Sequence, residues 1–475
     1  MDEIIHNIVL LPPPGFLGHL IPFIELAKKL VSQHNVTVTL LIIPNDHNNN
    51  NKSSKALLHN IPSSITPIFL PPVSTVDLPE NTNAEMLLPI RIIRSLPSLR
   101  QTLSSLQTPA SALVVDLFAP YAIDVAKEFK IPAYIFYVIA ANELSLSMDL
   151  PRLDETCMTE YRDMPEPIRL PGGIVLGPED LPDSMLERNS EVYKWMVDLC
   201  KKYLFADGII VNSFLELESE AFQDLEQRLP ESFSFTGMPP VYPVGPLIRT
   251  GPEAESDQGP EILKWLNDQP QKSVIYVSFG SGGTLSLEQI TELALGLEMS
   301  GHKFLWVVRS PQENAAAAYL NTPENIMNDP LHYLPQGFLE RTKNRGLVVA
   351  LWAPQIQILG HGSTSGFLTH CGWNSILESA VFGVPLIAWP LCFEHKMNAV
   401  FLRDGLKAAI RVKGNENGVV ESGHVSEVVK QLMEGEEGKI IRERMMDVKI
   451  AAGNALSQEG SSSKALAQVV QKWIS

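Results

Sequence analysis

Short apolar runs alternate with segments of helical period along most of this chain, and the alternation is interrupted once. Before the interruption the runs are Ile8–Leu11, Val36–Ile43, Ala112–Leu117, Ala133–Val138 and Gly208–Asn212. After it they are Ser273–Phe279, Phe304–Val308, Leu347–Leu351, Gly366–Thr369 and Leu386–Trp389. Runs this short and this apolar suit strands buried on both faces, and the helical stretches between them supply the crossovers that parallel strands require. The interruption, residues 239–261, reads PPVYPVGPLIRTGPEAESDQGPE. It is rich in Pro, Gly and acid and has no sustained period, as expected of an interdomain linker. The pattern predicts an α/β protein of two doubly wound domains facing each other across a cleft. Their boundaries fall at 1–240 and 262–455, with 241–261 between them. Ligands are expected at the switch points of the two sheets, beyond the carboxyl ends of the strands.

A length of 475 residues suits this number of domains. The net charge of −17 argues against nucleic acid or an anionic membrane surface as partner, because both attract basic proteins. Cys157, Cys200, Cys371 and Cys392 are too scattered for a disulfide framework or a zinc site and fit a reducing compartment. The opening MDEIIHN is acidic where a secretory signal would be basic, and no apolar run is long enough to span a bilayer. The expectation is a cytosolic monomer without membrane insertion. The tract His47–Asn51 and the stretch 310–333 read as exposed loops, and the pattern near 459–473 is that of an amphipathic helix.

The most informative window runs from Trp352 to His395, WAPQIQILGHGSTSGFLTHCGWNSILESAVFGVPLIAWPLCFEH. It contains no Lys or Arg, yet it is laid out as an anion site. An apolar strand ends at His370, and HCGWNS turns directly into a helix. That switch gathers backbone N–H groups and the positive end of a helix dipole at one point. Glu378 lies four residues beyond Asn374, on the same helix face. Outside the window, His19 follows the first strand and the turn PPPGFLG, where Gly15 and Gly18 let the chain bend and a ligand approach the backbone. By position His19 is either a polar turn residue or a general base. Asp116 ends ALVVDL and is either a helix cap or a carboxylate that orients an imidazole. Asp124 is the weaker candidate for that second role. No Asp-x-Asp occurs, and no His/Cys/Asp/Glu cluster has metal-ligand spacing, so no metal is expected.

The window resembles the 44-residue signature of plant family 1 UDP-glycosyltransferases, and Trp352 to His395 spans 44 positions. The resemblance extends from PPPGFLGHLIP through YVSFGSGG and is nearest the branch that glucosylates small phenols such as hydroquinone. It implies two Rossmann-like domains of the GT-B type, with a C-terminal helix at 456–475 packed back on the first. It further implies UDP-glucose as co-substrate, with no other cofactor, and inverting transfer to a small aromatic hydroxyl, giving a β-glycoside. His19 matches the family's general base and Asp116 its partner. In the donor window Trp352 would stack uracil, Ala353 would pair with the base edge through its backbone, and Gln355 and Glu378 would hold the ribose. His370, Asn374 and Ser375 would bind the diphosphate, completed by Ser281, Gly282 and Gly18. Trp373, Glu394 and His395 would read the sugar. Leu117, Phe118 and Tyr121 suit an apolar acceptor wall, and Glu85 matches a polar acceptor contact.

One position departs from the pattern. Glucose-using relatives usually close the window with Gln, and here it closes with His395, as in some galactose users. UDP-galactose therefore stands as an alternative donor. A UDP-sugar epimerase on the same fold is a second alternative, although it would need no acceptor wall. A nicotinamide dehydrogenase is disfavoured because PPPGFLG is not GxGxxG. A non-catalytic binding module leaves the His19 and Asp116 pair without a task.

Overall fold

The computed structural model describes residues 6–44, 52–59, 61–78, 82, 84–164, 166–227, 237–251, 258–312 and 329–474. The expected loop His47–Asn51 and residues 313–328 of the expected excursion lie outside the described residues.

In chain order the strands are β1 (Asn7–Leu11), β2 (Thr37–Ile42), β3 (Ile65–Phe69), β4 (Ala110–Asp116) and β5 (Ala133–Tyr137). A short antiparallel pair, β6 (Ile168–Arg169) and β7 (Val175–Leu176), precedes β8 (Gly208–Val211) and β9 (Val241–Pro243). Then come β10 (Val274–Ser278), β11 (Lys303–Val308), β12 (Gly346–Ala350), β13 (Thr364–Thr369), β14 (Leu386–Ala388) and β15 (Ala409–Arg411).

The chain divides into two compact units. The first comprises Met1–Tyr161, Glu187–Ala254 and Asn454–Ser475; the second comprises Arg162–Leu186 and Glu255–Gly453. Each is built on one parallel sheet, ordered β3-β2-β1-β4-β5-β8-β9 in the first unit and β12-β11-β10-β13-β14-β15 in the second. Both orders reverse direction beside the first strand, as in a Rossmann sheet. The reversals lie between β1 and β4, where Val9 pairs with Leu113, and between β10 and β13, where Ile275 pairs with Gly366. Strands β1, β5, β8 and β10 are buried along their whole length, which is why Val, Ile, Leu and aromatic residues dominate them, with one other residue at an end of each.

Five strands were not expected: the two-residue pair β6 and β7, and β3, β9 and β15, which lie at the edges of the parallel sheets. An edge strand is half solvated and can be short, so it needs no continuous apolar run. β3 includes Pro67 and has mixed burial, and β9 ends at Pro243; proline is tolerated there because one side of an edge strand makes no ladder bonds. The stretch 239–261 thus begins as sheet, with Val244 and Leu247 buried behind β9.

Two chain segments return to a unit from a distance in sequence. The terminal helix Ser461–Ile474 packs in the first unit. There Trp473 meets Tyr134 edge-on at 5.4 Å, and Lys472 Nζ donates to Tyr242 Oη at 2.6 Å. Residues 162–186, from the middle of the first half, belong to the second unit. Where the chain leaves the first unit and re-enters it, Arg188 donates to the carbonyls of Asp154, Cys157 and Thr159 at 2.7, 2.5 and 2.8 Å.

Candidate active site

At the switch point of the first sheet, β1 runs through the turn at Gly15 (φ +79°) into the helix Leu17–Gln33. Gly18 and His19 fall in the first turn of that helix, Gly18 exposed. β4 ends at Asp116, which has no solvent exposure. The topology closes a separation of 97 residues, and His19 Nδ1 lies 2.8 Å from Asp116 Oδ2. The other carboxylate oxygen accepts the Phe118 N–H at 2.9 Å. Held from both sides, the carboxylate requires the proton on Nδ1 and leaves the lone pair on Nε2.

Phe118 stacks on the imidazole (centroids 5.3 Å, 16° between planes), and Trp195 stacks on Phe118 at 5.7 Å. Phe16 lies tilted against both rings, 5.7 Å from His19 and 6.2 Å from Phe118. Phe16 and Trp195 were not anticipated; Phe16, three residues before a candidate base, was the only local signal for either. Leu117 is buried, and its carbonyl accepts from Tyr203 Oη at 3.0 Å. Tyr121 donates to Asp198 Oδ2 at 2.9 Å, and burial with that partner pushes its phenol well above the usual range. Asp124 is exposed and lies near Lys127, so Asp116 and not Asp124 is the partner of His19. Glu85 stands half-buried in the first turn of the helix Ala84–Ser105.

At the switch point of the second sheet, Ser281 and Gly282 follow β10, Ser281 exposed and Gly282 half-buried. β13 ends at Thr369, and His370 follows, buried. Two glycines flank its ring. A Cβ on Gly280 would lie 2.7 Å from the imidazole, and one on Gly372 would lie 2.4 Å from Nε2. Gly280 also has φ +79°, so any side chain there is both crowded and strained. The imidazole is thus clamped against backbone at the head of the helix Trp373–Phe382, whose cap residue Gly372 has no side chain to satisfy the first N–H groups.

Asn374 is half-buried on that helix, while Ser375 and Glu378 are buried. Gln355 Nε2 donates to Glu378 Oε2 at 2.6 Å and to Ser375 Oγ at 3.0 Å, and Tyr276 Oη donates to Gln355 Oε1 at 3.3 Å. This network joins the start of the window to its central helix. Trp352 is half-buried and Ala353 buried, just after Leu351 (φ +69°). The indole of Trp373 is 2% exposed and packs near Phe401 at 6.3 Å, a core environment that leaves the residue's backbone at the helix head. Glu394 is half-buried and His395 buried, at the start of the helix His395–Val400. The rings of His370 and His395 meet edge to face, 4.8 Å between centroids.

Burial holds His370 down to about 4 from an ordinary value of 6.5. Burial, and then the neighbouring His370, holds His395 well below its own usual value. Both rings are therefore neutral at pH 7. In the unfolded chain they take up protons near 6.5, whereas the folded chain refuses them until lower pH, so folding stability falls as pH falls below about 6.5. His395→Gln should flatten that fall between pH 6.5 and 5 by up to about 1.4 kcal/mol per pH unit. Urea unfolding at stepped pH measures this, and an unchanged slope would contradict the buried neutral pair.

Among the described residues no group of three or more His, Cys, Asp and Glu is placed to hold a metal ion, and no helix is long and apolar enough to cross a membrane. The four cysteines are unbridged thiols.

The family model described as UDP-glucoronosyl and UDP-glucosyl transferase matches residues 241–448, which contain the whole donor window. Hydroquinone glucosyltransferase of Rauvolfia serpentina is 51% identical over 469 residues, 98% of this chain and 97% of that protein. The chain belongs to the UDP-glycosyltransferase family. UGT2 of Phytolacca americana, solved in complex with UDP-2fluoro-glucose and pterostilbene, superposes with a TM-score of 0.89. It is 45% identical, covering 99% of this transferase and all 100% of that chain. A UDP-glucosyltransferase from Polygonum tinctorium capable of glucosylating indoxyl gives a TM-score of 0.90 at 44% identity, with 100% of both chains covered. The transferase thus shares the two-sheet GT-B architecture of these neighbours.

Proposed function

We propose that this transferase moves glucose from UDP-glucose to the hydroxyl of a small phenol with inversion, giving a β-glucoside, and that it works as a cytosolic monomer without a metal. The observation that carries the catalytic half of this reading is the hydrogen bond between His19 and the fully buried Asp116, at 2.8 Å. With Nδ1 committed to the carboxylate, Nε2 is the atom that takes the acceptor's proton as its oxygen attacks the anomeric carbon opposite UDP. Asp116 steadies the imidazolium as it forms. The aromatic cluster of Phe16, His19, Phe118 and Trp195 supplies flat apolar surface suited to a phenol ring, with Leu117, Tyr121 and Glu85 as further acceptor residues.

On the donor side Trp352 stacks uracil and Ala353 meets the base edge. Gln355 and Glu378 take the ribose hydroxyls. His370, Asn374, Ser375, Ser281, Gly282 and Gly18 surround the diphosphate, and the Trp373 backbone, Glu394 and His395 attend the sugar. The departing UDP is stabilised by oriented N–H groups and neutral donors in a buried setting, where such dipoles act strongly. Support for glucose and for phenols comes from the names of the relatives and from the pterostilbene complex of the neighbour.

UDP-galactose is retained as a second donor because of the imidazole at His395. Purified protein incubated with either UDP-sugar and a panel of phenols, with products analysed for linkage and for free UDP, tests the reading. The expected result is a β-glucoside formed faster from UDP-glucose. Interconversion of the two UDP-sugars without acceptor would establish the epimerase instead, and an α-linked product would exclude inversion.

A further inference from the structure

Residues 162–186 reach the second unit from the first half of the sequence, and two acids fix them there. Asp180, buried, pairs with Arg411 Nη1 at 2.6 Å, at the end of β15. Asp183 opens a helical turn, Asp183–Met185, and makes two contacts with one stretch of chain 210 residues away. Its Oδ2 accepts the Phe393 N–H at 2.8 Å, and its Oδ1 accepts from Lys396 Nζ at 2.7 Å. Only Glu394 and His395 lie between those two anchors. A single carboxylate therefore closes a ring around this dipeptide.

We propose that Asp183 is a positioning residue that sets the direction of Glu394 and His395 and thereby the transferase's preference among UDP-sugars. The proposal rests on the reading above that these two residues attend the sugar.

The local backbone needs such a restraint. Phe393 has φ +55°, a conformation that a residue with a Cβ adopts only when its surroundings hold it. One restraint on it is the bond from its own N–H to Asp183, at 2.8 Å. One residue further, Glu394 turns into the helix that His395 opens, and the Glu394 carbonyl accepts the Asn398 N–H at 2.9 Å. His395 Nδ1 in turn accepts the Cys392 N–H at 3.5 Å, so the ring's direction follows the backbone of 392–395. The ion pair with Lys396 is about 30% exposed at each end and contributes less than the backbone bond. Glucose and galactose differ only in the direction of one ring hydroxyl. Polar groups discriminate between them only as well as their own directions are fixed.

The test measures kcat and KM with UDP-glucose and UDP-galactose, and the Kd of UDP alone, for Asp183→Ala, Asp183→Asn and Lys396→Met. Asp183→Ala should raise KM for UDP-glucose about tenfold and shift the ratio of kcat/KM between the two donors by about tenfold, with UDP bound within about twofold of the parent. Asp183→Asn keeps an acceptor for the Phe393 N–H, and Lys396→Met leaves that bond untouched. Each should shift the donor ratio only about threefold, and these two decide the matter if Asp183→Ala does not fold. Unchanged donor ratios overturn the proposal, as does a loss of UDP affinity equal to the loss for UDP-glucose. His395→Gln separates this proposal from the reading beneath it. A donor shift there with unaltered Asp183 variants overturns the positioning role alone. No shift in any variant overturns the sugar assignment and the positioning role together.

Discussion

His19→Ala should lower kcat/KM for a weakly acidic acceptor such as a simple alkyl-substituted phenol by about 10²–10⁴-fold while leaving the Kd of UDP-glucose nearly unchanged. The size of the effect follows from the dyad. Nδ1 is held by Asp116 at 2.8 Å, and Asp116 is fixed in turn by the Phe118 N–H, so Nε2 is an oriented base whose removal leaves the acceptor hydroxyl without a proton acceptor. Strongly acidic phenols, which ionise without help, should retain much more of their reaction in the same variant. That contrast separates loss of a base from loss of a fold, because a collapsed site would spare neither class of acceptor. Calorimetric titration with UDP-glucose and initial rates across acceptors of graded acidity provide both measurements. Wild-type turnover with the least acidic phenol would remove His19 from its role.

The second large effect belongs to the donor side. Glu378→Ala should raise KM for UDP-glucose about 100-fold, with a smaller change in kcat. Two hydrogen bonds from ribose hydroxyls to a carboxylate, at about 1.5 kcal/mol each, give about 3 kcal/mol, which is about two powers of ten in affinity. Glu378 is buried and already accepts from Gln355 at 2.6 Å, so its carboxylate is held in place before any nucleotide arrives. The discriminating reagent is UDP with a 2′-deoxyribose. The parent should bind it more weakly than UDP, whereas Glu378→Ala should bind the two alike. If the variant distinguishes them as strongly as the parent does, Glu378 does not read the 2′-hydroxyl, and Gln355 is left as the residue that does. Glu378→Gln, which preserves shape, should fall between the two and guards against a folding artefact.

Much of this architecture was legible because it depends on burial and period. Strands covered by helices on both faces must be continuously apolar, and ten such runs could be counted without any tertiary information. Their alternation with helices specifies a parallel sheet, and a parallel sheet has a switch point where loops from separated strands converge. The family resemblance paired His19 with Asp116, and the structure brings the two together across 97 residues. Asn374 and Glu378 are paired by helical period alone. The strands that escaped are the two-residue pair β6 and β7 and the edge strands β3, β9 and β15, which are too short, or too mixed in burial, to leave a continuous apolar run.

Some parts of the two sites had no sequence signal. The clamp of Gly280 and Gly372 on His370 is a fact about distances between two loops, and glycines in such turns otherwise read as simple bends. Trp195 joins the aromatic column on His19 through Phe118 although no local motif marks it. The burial of Trp373 beside Phe401 likewise needed coordinates, since an indole at the head of a helix can point either way. Asp183 is the extreme case, an acid in a Pro- and Asp-rich loop that acts on a backbone N–H 210 residues later.

The sequence by itself determined the two parallel-sheet units, the family and the chemistry available at each switch point. Each of these rests on short-range regularities: hydrophobic period, strand-to-helix turns, and a 44-residue window of fixed spacing. Only the tertiary structure decided how those groups are aimed. Direction is set by contacts such as Asp116 to His19 Nδ1 and Asp183 to Phe393 N–H, in which one carboxylate meets a donor far away in the sequence. Such bonds form only after the chain has brought their partners together, and many acidic residues in the sequence could have made them.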